Sequence, residues 1–243
     1  MPSDVNKTPP RPPAPARADK TAAPMPSRKF PIVAIGASAG GLEALAQFLG
    51  HVPIGCGMAF VVIQHLDPDH KGMMPELLQR TTLMPVVQAT SRMKVRPDCV
   101  YVIPPNADLS ILHDSLYLLE PIAPRGLRLP IDFFFRALAD DRQEQAIGVI
   151  LSGMGSDGTL GVRAIKERGG LVLAQDPASA KFDSMPKSII DAGLAEIIAA
   201  AEKLPQRIID TLHLQQPAKL AVSDVESVDQ KSAFDKICIL LRE

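Results

Sequence analysis

At 243 residues the chain fits one good-sized domain with tails, and 46% hydrophobic against 22% charged residues is the balance of a globular protein that buries a core. A net charge of −1 leaves no surplus of Lys and Arg for phosphates, which argues against a general nucleic-acid binder, and no apolar run approaches the ~20 residues of a membrane span. The N-terminus lacks the hydrophobic core of a signal peptide. Cys56, Cys99 and Cys238 are odd in number and carry no metal-ligand spacing, so they are expected to be buried or idle reduced thiols, as suits the cytoplasm.

Residues 1–29 hold eight of the 23 prolines and few apolar residues, so they are expected to be a disordered, extended tail. Periodic signal then runs over residues 30–214. It opens at Pro31–Leu45, where the apolar run Ile32–Ile35 meets Gly36-Ala37-Ser38-Ala39-Gly40-Gly41 and an amphipathic segment follows. That pattern predicts a strand, a tight turn and a helix N-terminus, with Ser38 at the tip. Free backbone N–H groups there favour negative charge. The turn suits an activated serine, and it equally suits an anion cradle related to the G-x-G-x-x-G fingerprint.

Further strand-like runs follow at Ala59–Ile63, Val100–Ile103, Ala146–Leu151 and Leu171–Ala174. Helical candidates lie at Leu42–Leu49, Met74–Thr81, Asp132–Asp140, Leu160–Arg168 and Lys187–Ala192. Asp108–Glu120 reads as a β-hairpin around His113-Asp114-Ser115. Continuous apolar strands alternating with helices predict an α/β fold: a doubly wound, mostly parallel sheet with helices on both faces and a small hairpin insertion. From 215 a polar linker extends to 233. Residues 234–243 have helical spacing without a cap, as if they began a truncated helix of a following module.

Ligands of open parallel sheets bind beyond the carboxyl ends of the strands, so the residues after each apolar run matter most. Ser38 is one. His65, directly after Phe60–Gln64, is a second, and imidazole is the usual general base near neutral pH. His70 is a fallback, while His51, His113 and His213 fall in helix ends, loops or the hairpin turn. Asp157, in Leu151-Ser-Gly-Met-Gly-Ser-Asp-Gly158, is the third. It reads as a plain N-cap or as the carboxylate that orients the His65 ring. The same glycine-rich turn can aim an N–H near Met154 at an oxyanion.

Together these segments resemble the catalytic domain of chemotaxis protein-glutamate methylesterases, the CheB-type family, over about residues 30–200. The markers are IGASAGG at 35–41, VIQHL at 62–66, VYVIPP at 100–105, PIDFFF at 130–135, LSGMGSDGTLG at 151–161, AQDP at 174–177 and MP at 185–186. The resemblance implies a Ser–His–Asp triad carried onto Ser38, His65 and Asp157, with the Met154 N–H as oxyanion donor. It implies hydrolysis of glutamate γ-methyl esters on the signalling helices of methylated chemoreceptors, with deamidation of receptor glutamine in some relatives. It calls for no metal or organic cofactor and no nucleic acid or membrane insertion.

Departures from the pattern carry expectations of their own. Well-known members place a phosphorylatable receiver domain ahead of the esterase, where this chain has the Pro-rich tail. The SAGGLEAL, PIDFFF and GSDGTLGVRAIK wording resembles the variant fused to a chemoreceptor methyltransferase module. Ala39 stands where many receiver-linked members have Thr. Arg92, Lys94, Arg96, Arg125 and Arg128 cluster in sequence and could face an acidic receptor helix or only solvent. Two rivals remain: a nucleotide-binding oxidoreductase, which wants an acid ~20 residues past the glycine turn where the chain has Gln64-His65-Leu66-Asp67, and a non-catalytic adaptor, which the intact Ser, His and Asp do not favour.

Overall fold

The structure, a computed structural model, describes residues 30–64, 73–121 and 128–215. The expected N-terminal tail and final helix lie outside these residues, as does all of the linker after Gln215. In chain order the elements are β1 (Ile32–Ala37), α1 (Gly41–Gly50), β2 (Ala59–Gln64), α2 (Met73–Gln79), β3 (Val86–Gln88), β4 (Met93–Lys94), β5 (Val100–Val102), β6 (Asp108–Leu112) and β7 (Ser115–Leu119). There follow α3 (Pro130–Arg142), β8 (Ala146–Ile150), α4 (Thr159–Glu167), β9 (Leu171–Gln175), α5 (Ser184–Asp191), β10 (Ile197–Ala199) and α6 (Leu204–Gln215).

Seven strands form one parallel sheet in the order β10-β9-β8-β1-β2-β5-β3. Both faces are covered, which is why the central strands read as unbroken apolar runs. Along β1, Ile32 and Ala34 face the layer that holds α3, α4, α5 and the small sheet, while Val33, Ile35 and Ala37 face α1, α2 and α6. The doubly wound fold expected from the sequence is what forms.

Differences from the expected elements have local causes. β3 and β10 are three-residue edge strands, only partly buried, so no apolar run announces them. β4 adds a third strand to the β6–β7 hairpin, giving an antiparallel sheet in the order β4-β7-β6. α3 starts two residues early because Pro130 occupies its first turn, where a missing N–H costs nothing. β1 runs on through Gly36, where a Cβ would lie 2.6 Å from Ile131 Cγ2; glycine lets the start of α3 sit directly on the strand.

The far end of α3 is pinned to the hairpin turn. His113 and Asp114 both have left-handed φ, 47° and 64°, as a two-residue type I′ turn requires. The fully buried Arg142 guanidinium reaches the Asp114 carboxylate at 2.5 Å and stacks over Phe30 at 5.0 Å. The His113 N–H donates to Asp141 Oδ1 at 2.6 Å. Asp114→Asn keeps a residue tolerant of left-handed φ yet removes the nearer of two carboxylates that face a buried cation, Asp141 remaining at 3.5 Å, so it should cost about 2 kcal/mol. Urea denaturation should show a lower midpoint at unchanged m-value.

Candidate active site

β1 and β8 are neighbours in the sheet, but the chain leaves β1 for α1 on one face and β8 for α4 on the other. This is the switch point, where the carboxyl ends of two strands open a crevice. Ser38 follows β1 there, and the turn 151–158 follows β8. The two loops are stitched together: the Leu151 N–H donates to the Gly36 carbonyl at 2.9 Å and the Ser38 N–H to the Ser152 carbonyl at 3.0 Å. The Gly41 N–H closes the turn onto the Ser38 carbonyl at 2.9 Å. Gly40 has φ 68°, and a Cβ on it would stand 2.9 Å from both Lys181 Cβ and Ser152 Oγ. With the Ser38 and Gly41 amides engaged in this way, the turn holds a serine in place and makes a poor anion cradle.

Ser152, which sequence reasoning passed over, ties the crevice together. Its N–H donates to Gln175 Oε1 at 2.9 Å, and its hydroxyl donates to the Ala39 carbonyl and accepts the Phe182 N–H, each at 3.0 Å. The Gly153 N–H donates to the Phe182 carbonyl at 2.9 Å, and the Met185 N–H to the Gly153 carbonyl at 3.1 Å. The segment between β9 and α5 is thus strapped to the turn. The one signal that could have found this network is Gln175, a buried polar residue ending the apolar run of β9.

Gly153 lies directly against the serine. A Cβ there would run into Met185 Sδ and stand 3.0 Å from Ser38 Cβ. Ser38 is therefore beside the turn that carries Met154. While the neighbouring Gly153 amide is engaged, the Met154 N–H meets no acceptor among the described residues. The Met154 side chain is 59% exposed, and Gly155, with φ 90°, turns the chain back.

Asp157 is only 4% exposed and sits at the start of α3, not at the start of its own helix. Its Oδ2 accepts the Ile131 N–H at 3.1 Å and its Oδ1 the Asp132 N–H at 2.9 Å. The plain N-cap reading is thereby corrected: Gly158, with φ 100°, caps α4, and Asp157 satisfies the first turn of a helix 25 residues upstream. A carboxylate oxygen can accept more than one hydrogen bond. Burial raises the pKa of nearby Asp108, the Arg128 charge opposes that, and the Asp157 charge adds to it.

His65 and His70 lie outside the described residues. Nδ1 of His51 lies 2.8 Å from the Gln47 carbonyl at the end of α1, His113 is in the hairpin turn at the far end of α3, and His213 is exposed on α6. None of those three stands at the crevice. The basic residues do not form one patch. Arg92, Lys94 and Arg96 are exposed on and around β4, at the turn end of the hairpin, while Arg128 adjoins Asp108 at its opposite end; Arg125 is outside the described residues. Cys56 and Cys99 are half-buried free thiols, and burial raises the Cys56 pKa.

Fold and crevice define a doubly wound α/β domain that presents a serine at its switch point. The comparisons with known proteins give the family. The CheB methylesterase family model matches residues 33–208, and the chain belongs to that family. The crystal structure of the Thermotoga maritima CheB methylesterase catalytic domain superposes with a TM-score of 0.70 at 30% identity, covering 75% of this chain and 99% of that one. A Leptospira interrogans relative, provisionally named protein-glutamate methylesterase/protein-glutamine glutaminase, is 32% identical over 190 residues, 77% of this chain and 98% of its own. An uncharacterized 104.1 kDa protein of Rhodobacter capsulatus is 42% identical over 139 residues, 57% of this chain and 14% of its own. The chain spans about half the length of several further relatives with the methylesterase/glutaminase name.

Because the atoms nearest a Cβ at Gly153 belong to Met185 and Ser38, Gly153→Ala should misplace the serine. Displacement by about 1 Å costs on the order of 10² in rate. Phosphonate labelling of Ser38, followed by mass spectrometry, should slow by that order while circular dichroism stays unchanged.

Proposed function

We propose that this chain is a serine esterase that hydrolyses glutamate γ-methyl esters on the cytoplasmic signalling helices of chemoreceptors and releases methanol. The observation that carries the reading is the pairing of Ser38 with the Ser152–Met154 turn at the switch point of a CheB-family domain. In this reading Ser38 Oγ attacks the ester carbonyl and His65 takes its proton. The oxyanion is held by the Met154 N–H, which supports the role by having no acceptor among the described residues. His65 then protonates departing methanol, and a water activated by His65 releases the glutamate. Asp157 orients the imidazole; its place on the first turn of α3, buried and held by two N–H groups, supports that role.

Glutamine deamidation is the same acyl chemistry with ammonia as leaving group, and the names of the relatives support it as a second activity. The reading places the protein in the cytoplasm. Among the described residues no helix is long and apolar enough to cross a membrane. The finer reading, an esterase module joined to a receptor methyltransferase module in a longer polypeptide, is supported by the wording of residues 38–45, 130–135 and 155–166; the Rhodobacter relative adds only that the matched stretch can be a small part of a far longer chain. Sequencing the gene past Glu243 decides it: a methyltransferase signature is expected, and a stop codon would sink the idea.

Membranes carrying methylated chemoreceptors should release methanol with this chain and none with Ser38→Ala; equal release by both would show that Ser38 is not the nucleophile. Asp157→Asn should lose about 10⁴ in kcat, the effect known for the corresponding change in a trypsin-type triad, and should also lower the melting temperature, because one of the two oxygens that accept the α3 N–H groups becomes an NH2. Near-normal turnover would assign the orienting role to another group.

A further inference from the structure

Neither α3 nor α4 is capped by a side chain of its own first residues. Each takes a carboxylate from the beginning of the other. Asp157, just before α4, accepts the Ile131 and Asp132 N–H groups of α3 at 3.1 and 2.9 Å. Asp132, in the first turn of α3, accepts the Gly161 N–H of α4 at 2.6 Å, and its side chain is almost wholly buried. The exchange depends on close approach. A Cβ on Gly161 would stand 2.6 Å from Phe135 Cβ and 3.1 Å from Asp132 Cα.

We propose that Asp132 is a positioning residue for the esterase, holding the start of α4 against α3 so that the Asp157 carboxylate keeps its place at the crevice. This rests on the reading of Asp157 as the group that orients His65. A carboxylate buried this deeply, beside a second carboxylate, is a poor choice for stability alone. Burial disfavours the ionised form of Asp132 and the Asp157 charge disfavours it further, while the Gly161 and Gly158 N–H groups and the Arg136 charge work the other way, leaving its pKa raised. Asp108 also lies within electrostatic reach of Asp157, and Arg128 within reach of Asp108. The sign follows: with its folded pKa raised, Asp132 contributes stability below its unfolded pKa that is lost as the pH rises through the folded value. At neutral pH the charge therefore works against folding, and neutral Asn at this position should melt no lower than the parent.

The test compares Asp132→Ala, which removes the acceptor, with Asp132→Asn, which keeps an acceptor oxygen and drops the charge. Readouts are methanol release from methylated receptor membranes and the rate of phosphonate labelling at Ser38. Asp132→Ala is expected to lose on the order of 10–100-fold in kcat and in labelling at little changed KM, as for a small misplacement of a triad group. Its acid limb in kcat/KM should move to lower pH, because a carboxylate no longer held against the imidazole raises the His65 pKa less. Asp132→Asn should recover most of the rate. Gly161→Ala, which pries the same contact open from α4, should reproduce the loss.

Parent-like rates in Asp132→Ala and Gly161→Ala would overturn the inference. So would equal losses in the Ala and Asn variants, since the charge and not the hydrogen bond would then be what matters. An Asp132→Ala chain that does not fold makes Asp132 a residue of the fold and counts against the proposal as well. A parent that neither releases methanol nor takes label at Ser38 overturns the functional reading, and this inference with it. A labelled parent with an unaffected Asp132→Ala overturns the inference alone.

Discussion

The hydrogen bond from the Ser38 N–H to the Ser152 carbonyl joins two loops that leave the sheet on opposite faces, and the crevice depends on it. Neighbouring parallel strands place their carboxyl ends side by side, but α1 and α4 pull the following chain apart. Such a split normally leaves backbone groups facing a cleft without partners. Here most are engaged across it: Gly36 with Leu151, Ser38 with Ser152, Ala39 with the Ser152 hydroxyl. The amide of Met154 is an exception among the described residues, in the turn whose Gly153 packs against the serine.

The glycines follow from the same crowding. Gly36 admits Ile131 of α3, Gly153 admits Ser38 and Met185, and Gly161 admits the start of α3. Each permits a contact between elements distant in sequence. α3 is gripped at both ends, by Asp157 at its first turn and by the hairpin turn through Arg142 and Asp141 at its last. The small antiparallel sheet, seemingly an ornament on the parallel one, is the anchor for the helix that holds Asp157.

Much of this was legible before folding. The apolar runs gave the inner strands because those strands are buried on both faces. The edge strands β3 and β10 were not legible, since three partly exposed residues carry neither an apolar run nor an alternation long enough to read. Ser38 and Asp157 stood out because each follows a strand in a glycine-rich turn. Ser152 and Asp132 did not, because a serine or an aspartate acquires its meaning here from a partner 23 to 113 residues away.

By itself the sequence determined the doubly wound architecture, the glycine-rich turns after β1 and β8 and, through its ordered markers, the family. These are local properties: periodicity, turn residues and short motifs written in consecutive positions. Only the tertiary structure decided which helix Asp157 caps, that the Gly36–Gly41 turn spends two of its amides on bracing and not on an anion, and that Arg128 lies apart from Arg92, Lys94 and Arg96. Those outcomes depend on which carbonyl or carboxylate arrives beside a given N–H once β1 and β8 are paired. Long-range packing supplies that geometry, and no stretch of consecutive residues contains it.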